Sequence, residues 1–202
     1  LPDAGLATYS DMLNRVETIA GGTKTPVIAD GDTGYGNALN VKRTVNGYAQ
    51  AGFAGIMIED QVSPKRCGHT KGKKGVGFEE ACMRIQAAVD ARNEGADILI
   101  MARTDANGTD GMDEALRRCE MFRKVGVDIT FLEAPKNEEE MRRYGQEVDG
   151  PKMANMVEQG TTPYLSPQEL EEIGYKVAML FSFAGYVIWS VVAVAAFYIS
   201  DG

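Results

Sequence analysis

Short apolar runs alternate with helical patterns along most of the chain, and this alternation limits the possible folds more than any other feature. Each run is continuously apolar, as in strands that are buried on both faces of a parallel sheet. The sequence predicts strands at residues 26–29, 55–58, 98–102, 129–132, 152–156 and 176–181. It predicts helices at residues 12–20, 41–51, 79–93, 113–125 and 138–147, and a further helix that begins at Ser166. Elements in this order indicate an α/β fold.

Charged and polar side chains follow these strands at the points where the strands end. In a (β/α)8, TIM-type barrel the active site lies at this carboxyl end of the strands. A typical barrel has eight strands and about 250 residues, whereas six strands are predicted here and the first helix has no strand before it. We therefore expect a single, incomplete barrel domain over residues 1–202 that lacks the first two βα units. The sequence, which begins with Leu1, then represents the middle of a longer chain.

The composition argues against several classes of protein. The chain has 202 residues, a formal net charge of −8 and 44% apolar residues, as is typical of a soluble globular domain. An acidic balance without a basic block argues against nucleic acid as a partner. The three cysteines show neither the CxxC spacing of a zinc site nor a disulfide framework. These features favour a reducing compartment, either the cytoplasm or the interior of an organelle.

Carboxylates at two successive predicted strand ends indicate a metal site. Asp30 and Asp32 follow one strand in the motif DGDTGYG, and Glu59 follows the next strand. Carboxylate oxygens suit Mg²⁺, which keeps several waters and is usually bound through one or two carboxylates. The alternative is that Asp30 and Asp32 form a turn and cap the following helix. The presence of Glu59 on the neighbouring strand favours the metal site.

The loop after the second strand contains both Cys67 and the single histidine of the chain, His69. Two basic residues precede Cys67, and nearby positive charge lowers the pKa of a thiol and makes it a usable proton donor or acceptor. Cys67 could instead be a small buried residue, and His69 could be a hydrogen-bonded structural residue. Their close spacing favours a catalytic role. Cys82 and Cys119 lie within predicted helices and are expected in the core.

Arg103 ends an otherwise apolar strand, where an unpaired charge is costly. It either pairs with a neighbouring acid such as Glu133 or receives a substrate carboxylate through its planar guanidinium. Asn155 and Glu158 lie near the end of a later strand and are expected at the same mouth.

Five motifs, in the order DGDTGYG, IEDQ, KRCGHT, ARTDA and NMVE, resemble those of a known family. Over about residues 1–175 the chain resembles the isocitrate lyase/phosphoenolpyruvate mutase superfamily. The resemblance implies a (β/α)8 barrel, a bound Mg²⁺ or Mn²⁺ ion, and a homotetramer whose final helices swap between subunits. The phosphonate-forming mutases lack the KRCGH loop, so the resemblance favours the lyase branch. Within that branch, the chain is most similar to the 2,3-dimethylmalate lyase and petal death protein group.

The same resemblance implies roles for individual residues. By resemblance, the metal-site residues are Asp30, Asp32, Glu59 and Asp3, the catalytic residues are Cys67, His69, Arg103 and Glu133, and the substrate-binding residues are Arg103, Asn155, Gly68 and His69. A Ser-Gly loop, with which the family grips its substrate, would precede Leu1 and is not part of the sequence.

The function that the resemblance implies is a Mg²⁺-dependent carbon–carbon lyase. Its substrate would be a small anionic 2-hydroxy di- or tricarboxylate of the 2,3-dimethylmalate or 2-methylisocitrate type, cleaved to a 2-oxo acid and a carboxylate. Two alternatives remain open. One is an oxaloacetate hydrolase that uses the same site, and the other is a catalytically inactive barrel that serves as an oligomerisation module.

The end of the chain differs from the rest in its lack of charge, because residues 177–200 contain no charged side chain. A stretch of this length meets the usual threshold for a membrane span. We favour another interpretation, in which residues 177–202 form the last strand of the barrel and a C-terminal helix that a neighbouring subunit buries.

Overall fold

The computed structural model of the protein describes residues 4–66, 72–157, 160–181 and 197–198. The strands are β1 (Ile28–Asp30), β2 (Gly55–Glu59), β3 (Leu99–Thr104), β4 (Ile129–Leu132), β5 (Lys152–Val157), β6 (Val177–Phe181) and β7 (Phe197–Tyr198). The helices are α1 (Tyr9–Gly21), α2 (Ala38–Gln50), α3 (Phe78–Asn93), α4 (Ala106–Thr109), α5 (Met112–Val125), α6 (Glu138–Glu147) and α7 (Pro167–Ile173). Strands and helices alternate as the apolar runs predicted.

One sheet connects the strands in sequence order, from β1 to β7. Each of the first five strands is parallel to the next, so β1–β6 are all parallel. These six strands curl into a half-barrel, so the prediction of a parallel α/β fold is confirmed. The short strand β7 is antiparallel to β6 and pairs with its first two residues, Val177 and Ala178.

Two helices begin earlier than their apolar patterns predicted, because polar side chains cap their first turns. Thr8 and Asp11 form a capping box that starts α1 at Tyr9. Asn37 and Asn40 form the equivalent box at the start of α2. Side-chain oxygens at these positions satisfy backbone N–H groups that have no partner within the helix. The four-residue helix α4 was not predicted.

The core has two layers, one on each face of the sheet. On the outer face, the helices cover β1–β6 through two clusters, one beneath α1–α3 and one beneath α5–α7. On the concave inner face, a smaller apolar cluster consists of Met57, Met101, Ile129, Phe131 and Met153. This inner cluster forms a floor below the carboxyl ends of the strands.

Much of the uncharged C-terminal stretch lies outside the described residues. The predicted last strand is present as β6, while the predicted C-terminal helix falls mainly on residues 182–196, of which no structure is described. Within the described ranges, no helix combines the length and apolarity needed to cross a membrane. The assignment of residues 177–202 to a strand and a swapped helix stays a prediction.

Candidate active site

Glu59 and Arg103 face each other on the concave side of the sheet, one layer above the apolar floor. Successive residues of a strand point to opposite faces, so both lie on the same face as Met57 and Met101. The parallel register of β2 and β3 pairs Glu59 directly with Arg103. Both side chains are buried, Glu59 completely and Arg103 with 8% of its surface exposed.

The turn after β1 brings Asp30 and Asp32 to the same edge of the sheet. The backbone N–H of Gly31 donates to the carbonyl of Met57 (2.8 Å), and the N–H of Glu59 donates to the carbonyl of Asp32 (2.9 Å). The turn therefore lies flat against β2. A Cβ atom at Gly31 would come within 2.8 Å of the Met57 carbonyl oxygen, so the close approach requires glycine between the two acids.

The alternative role of Asp30 and Asp32, in which they form a turn and cap the following helix, is present only in part. The carboxylate of Asp30 accepts the backbone N–H of Asp32 at 2.8 Å, which is a local turn contact. The cap of α2, however, is Asn37, whose side chain accepts from the N–H groups of Leu39 and Asn40. Asp30 and Asp32 are thus not helix caps.

Lys65 is a site residue that the sequence analysis did not identify. Its ammonium nitrogen lies 2.8 Å from Asp32 Oδ1 and 3.6 Å from Asp30 Oδ2, and the side chain is 8% exposed. Burial alone would lower the pKa of Lys65, but Asp30, Glu59 and Asp32 outweigh burial and raise that pKa, so the group stays an ammonium ion. The sequence carried no signal for this contact, because it depends on the path of the loop after β2.

Glu59 is the buried acid of this cluster whose charge is least compensated. Neither carboxylate oxygen has a hydrogen-bond partner among the described residues. Arg103 Nε is 3.6 Å from Oε2, too far for a hydrogen bond. Burial raises the pKa of Glu59 to about 8, although Arg103 and Lys65 act in the opposite direction, and Asp30 and Asp105 raise it further.

The donor set fits a divalent cation that keeps most of its water. In the part of the chain that the structure describes, no three His, Cys, Asp or Glu side chains form a ready-made ligand group. Mg²⁺ does not require one, because it is commonly bound by one or two carboxylates and several waters. The oxygens of Glu59, which accept no hydrogen bond from the described residues, lie beside Asp30 and Asp32 and are acceptors that such a hydrated cation would need.

Replacing Glu59 with Gln is expected to remove a pH-dependent loss of stability from the metal-free protein. The pKa of Glu59 is about 8 in the folded state and 4.5 ordinarily, so the folded state binds more protons between these values. Stability should therefore fall as pH rises through this window, by at most about 1.4 kcal/mol per pH unit. In urea unfolding in the presence of EDTA, the free energy of unfolding of Glu59→Gln should increase relative to that of wild type from about pH 5 to pH 8. A difference that stays constant over this range would contradict the raised pKa.

Arg103 is surrounded by three carboxylates. Its Nε and Nη2 atoms donate to the two oxygens of Asp105, at 2.9 and 3.1 Å. Glu59 and Glu133 approach the guanidinium to 3.6 Å from other directions. The expected pairing with Glu133 is thus present, but Asp105 is the principal partner, and sequence analysis did not predict it.

Glu133 and Asn155 meet at the ends of β4 and β5, as predicted. The side-chain nitrogen of Asn155 is 3.5 Å from both Glu133 oxygens, which is a long contact. The carbonyl oxygen of the Asn155 side chain is buried and has no hydrogen-bond partner within the described ranges. Asn155 therefore retains an acceptor for a ligand hydroxyl or water at the mouth.

A buried polar network behind the site fixes the segment that follows β3. Asp60 points away from the concave face, because it follows Glu59 directly in the strand direction. Its carboxylate accepts from the Thr104 hydroxyl (2.6 Å), the Asp105 backbone N–H (3.0 Å) and Arg118 Nη1 (2.8 Å). Arg118 in turn donates to the carbonyl of Val76.

Five predicted site residues lie outside the described residues, namely Asp3, Cys67, Gly68, His69 and Glu158. The chain is anchored at this mouth on both sides of the Cys67 segment. The side chain of Gln61 makes hydrogen bonds with the backbone N–H (3.0 Å) and carbonyl (2.9 Å) of Arg66. Beyond the segment, Lys73 pairs with Asp105 at 2.7 Å.

The other two cysteines have the structural positions that were predicted. Cys119 is fully buried in α5, and Cys82 is half-buried in α3. Burial raises the pKa of both thiols, so neither is an activated nucleophile.

The fold and the site together define a class of protein. The chain is a parallel α/β half-barrel that holds an acid cluster and a buried arginine at the carboxyl ends of neighbouring strands. The apolar floor lies below these side chains, and the strand ends above it are where a TIM-type barrel has its active site.

The chain belongs to the phosphoenolpyruvate phosphomutase family, whose sequence model matches residues 1–197. It is 50% identical over 178 residues to 2,3-dimethylmalate lyase of Eubacterium barkeri, an alignment that covers 88% of this chain and 61% of that protein. It is 44% identical over 179 residues to 2-methylisocitrate lyase of Aeropyrum pernix, with coverage of 89% and 57%. The predicted resemblance is confirmed.

Solved structures agree with this assignment. A crystal structure of 2,3-dimethylmalate lyase, described as a member of the PEP mutase/isocitrate lyase superfamily, matches with a TM-score of 0.86 at 42% identity and covers 91% of this chain and 62% of that chain. A structure of oxaloacetate acetylhydrolase with the inhibitor 3,3-difluorooxalacetate also gives a TM-score of 0.86, at 37% identity and with coverage of 93% and 64%. The chain thus spans about three fifths of the length of these relatives.

Proposed function

We propose that the protein is a Mg²⁺-dependent carbon–carbon lyase. Its substrate is a small 2-hydroxy di- or tricarboxylate of the 2,3-dimethylmalate or 2-methylisocitrate type, which it cleaves to a 2-oxo acid and a carboxylate. The observation that carries this proposal is the position of Arg103 beside Asp30, Asp32 and Glu59 at one mouth of the sheet. The similarity to 2,3-dimethylmalate lyase supports the same assignment. In this proposal the six parallel strands are part of a (β/α)8 barrel.

Arg103 is the residue proposed to bind the substrate carboxylate. Its hydrogen bonds to Asp105 use Nε and Nη2, so the N–H groups of Nη1 lie outside that pairing. A guanidinium that is already oriented loses little freedom when it binds a carboxylate. Asn155 and Glu133, at the next strand ends, are proposed to contact the rest of the substrate, together with Gly68 and His69.

Asp30, Asp32 and Glu59 are proposed to hold the metal ion, directly or through its waters, with Asp3 as a further acid. The ion would supply a positive charge that stabilises the negative charge developing on the substrate oxygen. The protein's own cation, Lys65, already balances part of the charge of the acid pair. The neighbouring acids raise the pKa of Lys65, which favours its ammonium form beside them.

Cys67 is the proposed proton donor. A base takes up the hydroxyl proton, the oxygen forms the carbonyl of the 2-oxo acid as the carbon–carbon bond breaks, and the bond electrons move onto the departing fragment as an enolate-like carboxylate. The thiol of Cys67 then protonates that carbon and becomes a thiolate, which acts as the base in the reverse direction. His69 is proposed to lie close enough to assist this transfer.

Cys67→Ser is expected to lower kcat about 100-fold, because a hydroxyl is a far weaker acid than a thiol and general acid catalysis contributes at least this factor. Steady-state turnover of 2,3-dimethylmalate measures the effect. Cys82→Ser is the matched control, since Cys82 lies half-buried within α3 and away from the mouth. Near wild-type turnover by Cys67→Ser would exclude this role for the thiol.

Oxaloacetate hydrolysis is the second candidate function, favoured by the similarity to oxaloacetate acetylhydrolase. The products separate the two reactions. A hydrolase converts oxaloacetate to acetate and oxalate by adding water, whereas a lyase releases a 2-oxo acid and a second carboxylate without water.

The deciding experiment supplies the purified full-length gene product with Mg²⁺ and, separately, 2,3-dimethylmalate, 2-methylisocitrate, isocitrate and oxaloacetate. NMR identifies the products. A 2-oxo acid from one of the hydroxy acids supports the lyase, and oxalate from oxaloacetate supports the hydrolase. Failure with all four substrates would favour a catalytically inactive barrel that serves as an oligomerisation module.

Sedimentation of the same sample tests the proposed homotetramer with swapped C-terminal helices.

A further inference from the structure

Asp105 lies directly behind Arg103 and is completely buried. It follows β3, and each of its two oxygens accepts one hydrogen bond from the guanidinium, at 2.9 Å from Nε and 3.1 Å from Nη2. Two parallel charge-assisted hydrogen bonds fix both the position and the plane of an arginine fork. Asp105 therefore determines the direction in which Nη1 points.

The other carboxylates near Arg103 cannot fix its orientation in this way. Glu59 approaches Nε and Glu133 approaches Nη2, each at 3.6 Å, beyond hydrogen-bonding distance. These two acids attract the guanidinium from different sides. If the pairing with Asp105 were lost, Arg103 would rotate toward one of them, and Nη1 would turn with it.

Asp105 is itself rigidly held and remains ionised. Its backbone N–H donates to Asp60 Oδ1 at 3.0 Å, within the network that also contains Thr104 and Arg118. Lys73 donates to Asp105 Oδ1 at 2.7 Å, and the Lys73 side chain is 7% exposed. Although burial opposes it, the charges of Arg103 and Lys73 lower the pKa of Asp105 to about 2.

We propose that Asp105 is a positioning residue, which does not contact the substrate but aims the free edge of Arg103 at the substrate carboxylate. The inference rests on the proposed function in one respect, namely that the ligand is a small carboxylate. Misplacement of a binding group by about 1 Å can lower catalytic efficiency about 100-fold. Loss of Asp105 should therefore weaken carboxylate binding strongly without removing any atom that reacts.

The test compares Asp105→Asn with wild type in the full-length, Mg²⁺-loaded protein. The measurements are the calorimetric dissociation constant of oxalate and the KM and kcat for 2,3-dimethylmalate. We expect the dissociation constant and KM to rise at least about tenfold and kcat to change less than about threefold. A merely structural lesion would lower the active fraction, and hence apparent kcat, and leave KM unchanged.

Asp128→Asn is the matched control, because Asp128 makes its hydrogen bonds at the opposite end of β3. Its carboxylate accepts from Arg92 Nη1 (2.6 Å) and from the backbone N–H of Ile100 (2.8 Å), far from the mouth. This control removes an arginine–aspartate pair of the same strand and should leave both constants within about twofold. If Asp105→Asn does not fold, Asp105→Glu keeps the charge but shifts the carboxylate, and should raise KM in the same direction.

A double-mutant cycle establishes whether Asp105 acts through Arg103. In an Arg103→Lys background, Asp105→Asn should add less than about a twofold further change in the oxalate dissociation constant. A full additional effect in that background, or wild-type binding by Asp105→Asn, would overturn the inference. A wild-type protein that binds oxalate but turns nothing over would refute the proposed function alone, and one that binds no carboxylate would refute both.

Discussion

Arg103→Lys is expected to lower kcat/KM about 1,000-fold while the protein remains folded. Lysine keeps the positive charge between Glu59, Asp105 and Glu133 but cannot form the planar fork. Two hydrogen bonds to a charged carboxylate contribute about 1.5–3 kcal/mol each, which together correspond to a factor of about 10²–10⁴. Steady-state kinetics with 2,3-dimethylmalate measures the loss, and thermal unfolding verifies the fold.

Two control variants distinguish a loss of substrate binding in Arg103→Lys from a loss of stability. Arg92→Lys makes the same exchange at the opposite end of the sheet, where Arg92 pairs with Asp128, and should leave turnover unchanged. Arg103→Gln removes the positive charge that lies among three buried carboxylates, so it should destabilise the protein by about 3–5 kcal/mol. Arg103→Lys kinetics within a few-fold of wild type would show that Arg103 does not bind the substrate carboxylate.

Removal of the metal ion is expected to abolish turnover, and added Mg²⁺ is expected to restore it. Charge stabilisation by a bound cation contributes several kcal/mol to a reaction of this kind, or about 10³-fold or more in rate. A bound cation would also contact the oxygens of Glu59, which lack hydrogen bonds among the described residues. EDTA should therefore lower both the turnover and the midpoint of thermal unfolding.

The metal experiment includes two internal checks. EGTA binds Mg²⁺ much more weakly than EDTA does, so it should leave the protein active at the same concentration. In Glu59→Gln the neutral side chain no longer requires a counter-charge, so Mg²⁺ should raise the unfolding midpoint less than it does in wild type. Full activity after exhaustive treatment with EDTA, with no metal detected in the protein, would rule out the proposed role of the ion.

The sequence predicted strands β1–β6, but not β7, and the common location of Asp30, Asp32, Glu59 and Arg103, for one physical reason. Parallel strands present their carboxyl ends at one edge, so charged residues that end apolar runs must meet there. The principal partners were not predicted. The pairing of Arg103 with Asp105 depends on a side-chain rotamer and on the turn into α4, and no periodicity encodes either of them.

For the adjacent acids Glu59 and Asp60, the alternation of strand residues between faces could have predicted more than was drawn from it. Glu59 and Asp60 end the same apolar run, and the sequence analysis used only the first of them. Because strand residues alternate between faces, Glu59 enters the concave mouth, whereas Asp60 joins Arg118 in the network behind it. The period of two would have separated their roles, whereas the insertion of Lys65 between Asp30 and Asp32 depends on a loop path that the sequence does not define.

Strand β3 is secured at both of its ends by a carboxylate from a neighbouring segment. Asp128 accepts the N–H of Ile100 near its start, and Asp60 accepts the N–H of Asp105 just beyond its end. Between these points, β2 and β4 pair with it along both edges. Amide hydrogens in such a strand are expected to exchange slowly, because core strands open with free energies close to that of global unfolding. The direction of the Arg103 guanidinium, and of a carboxylate bound to it as proposed, therefore depends on the stability of the sheet as a whole.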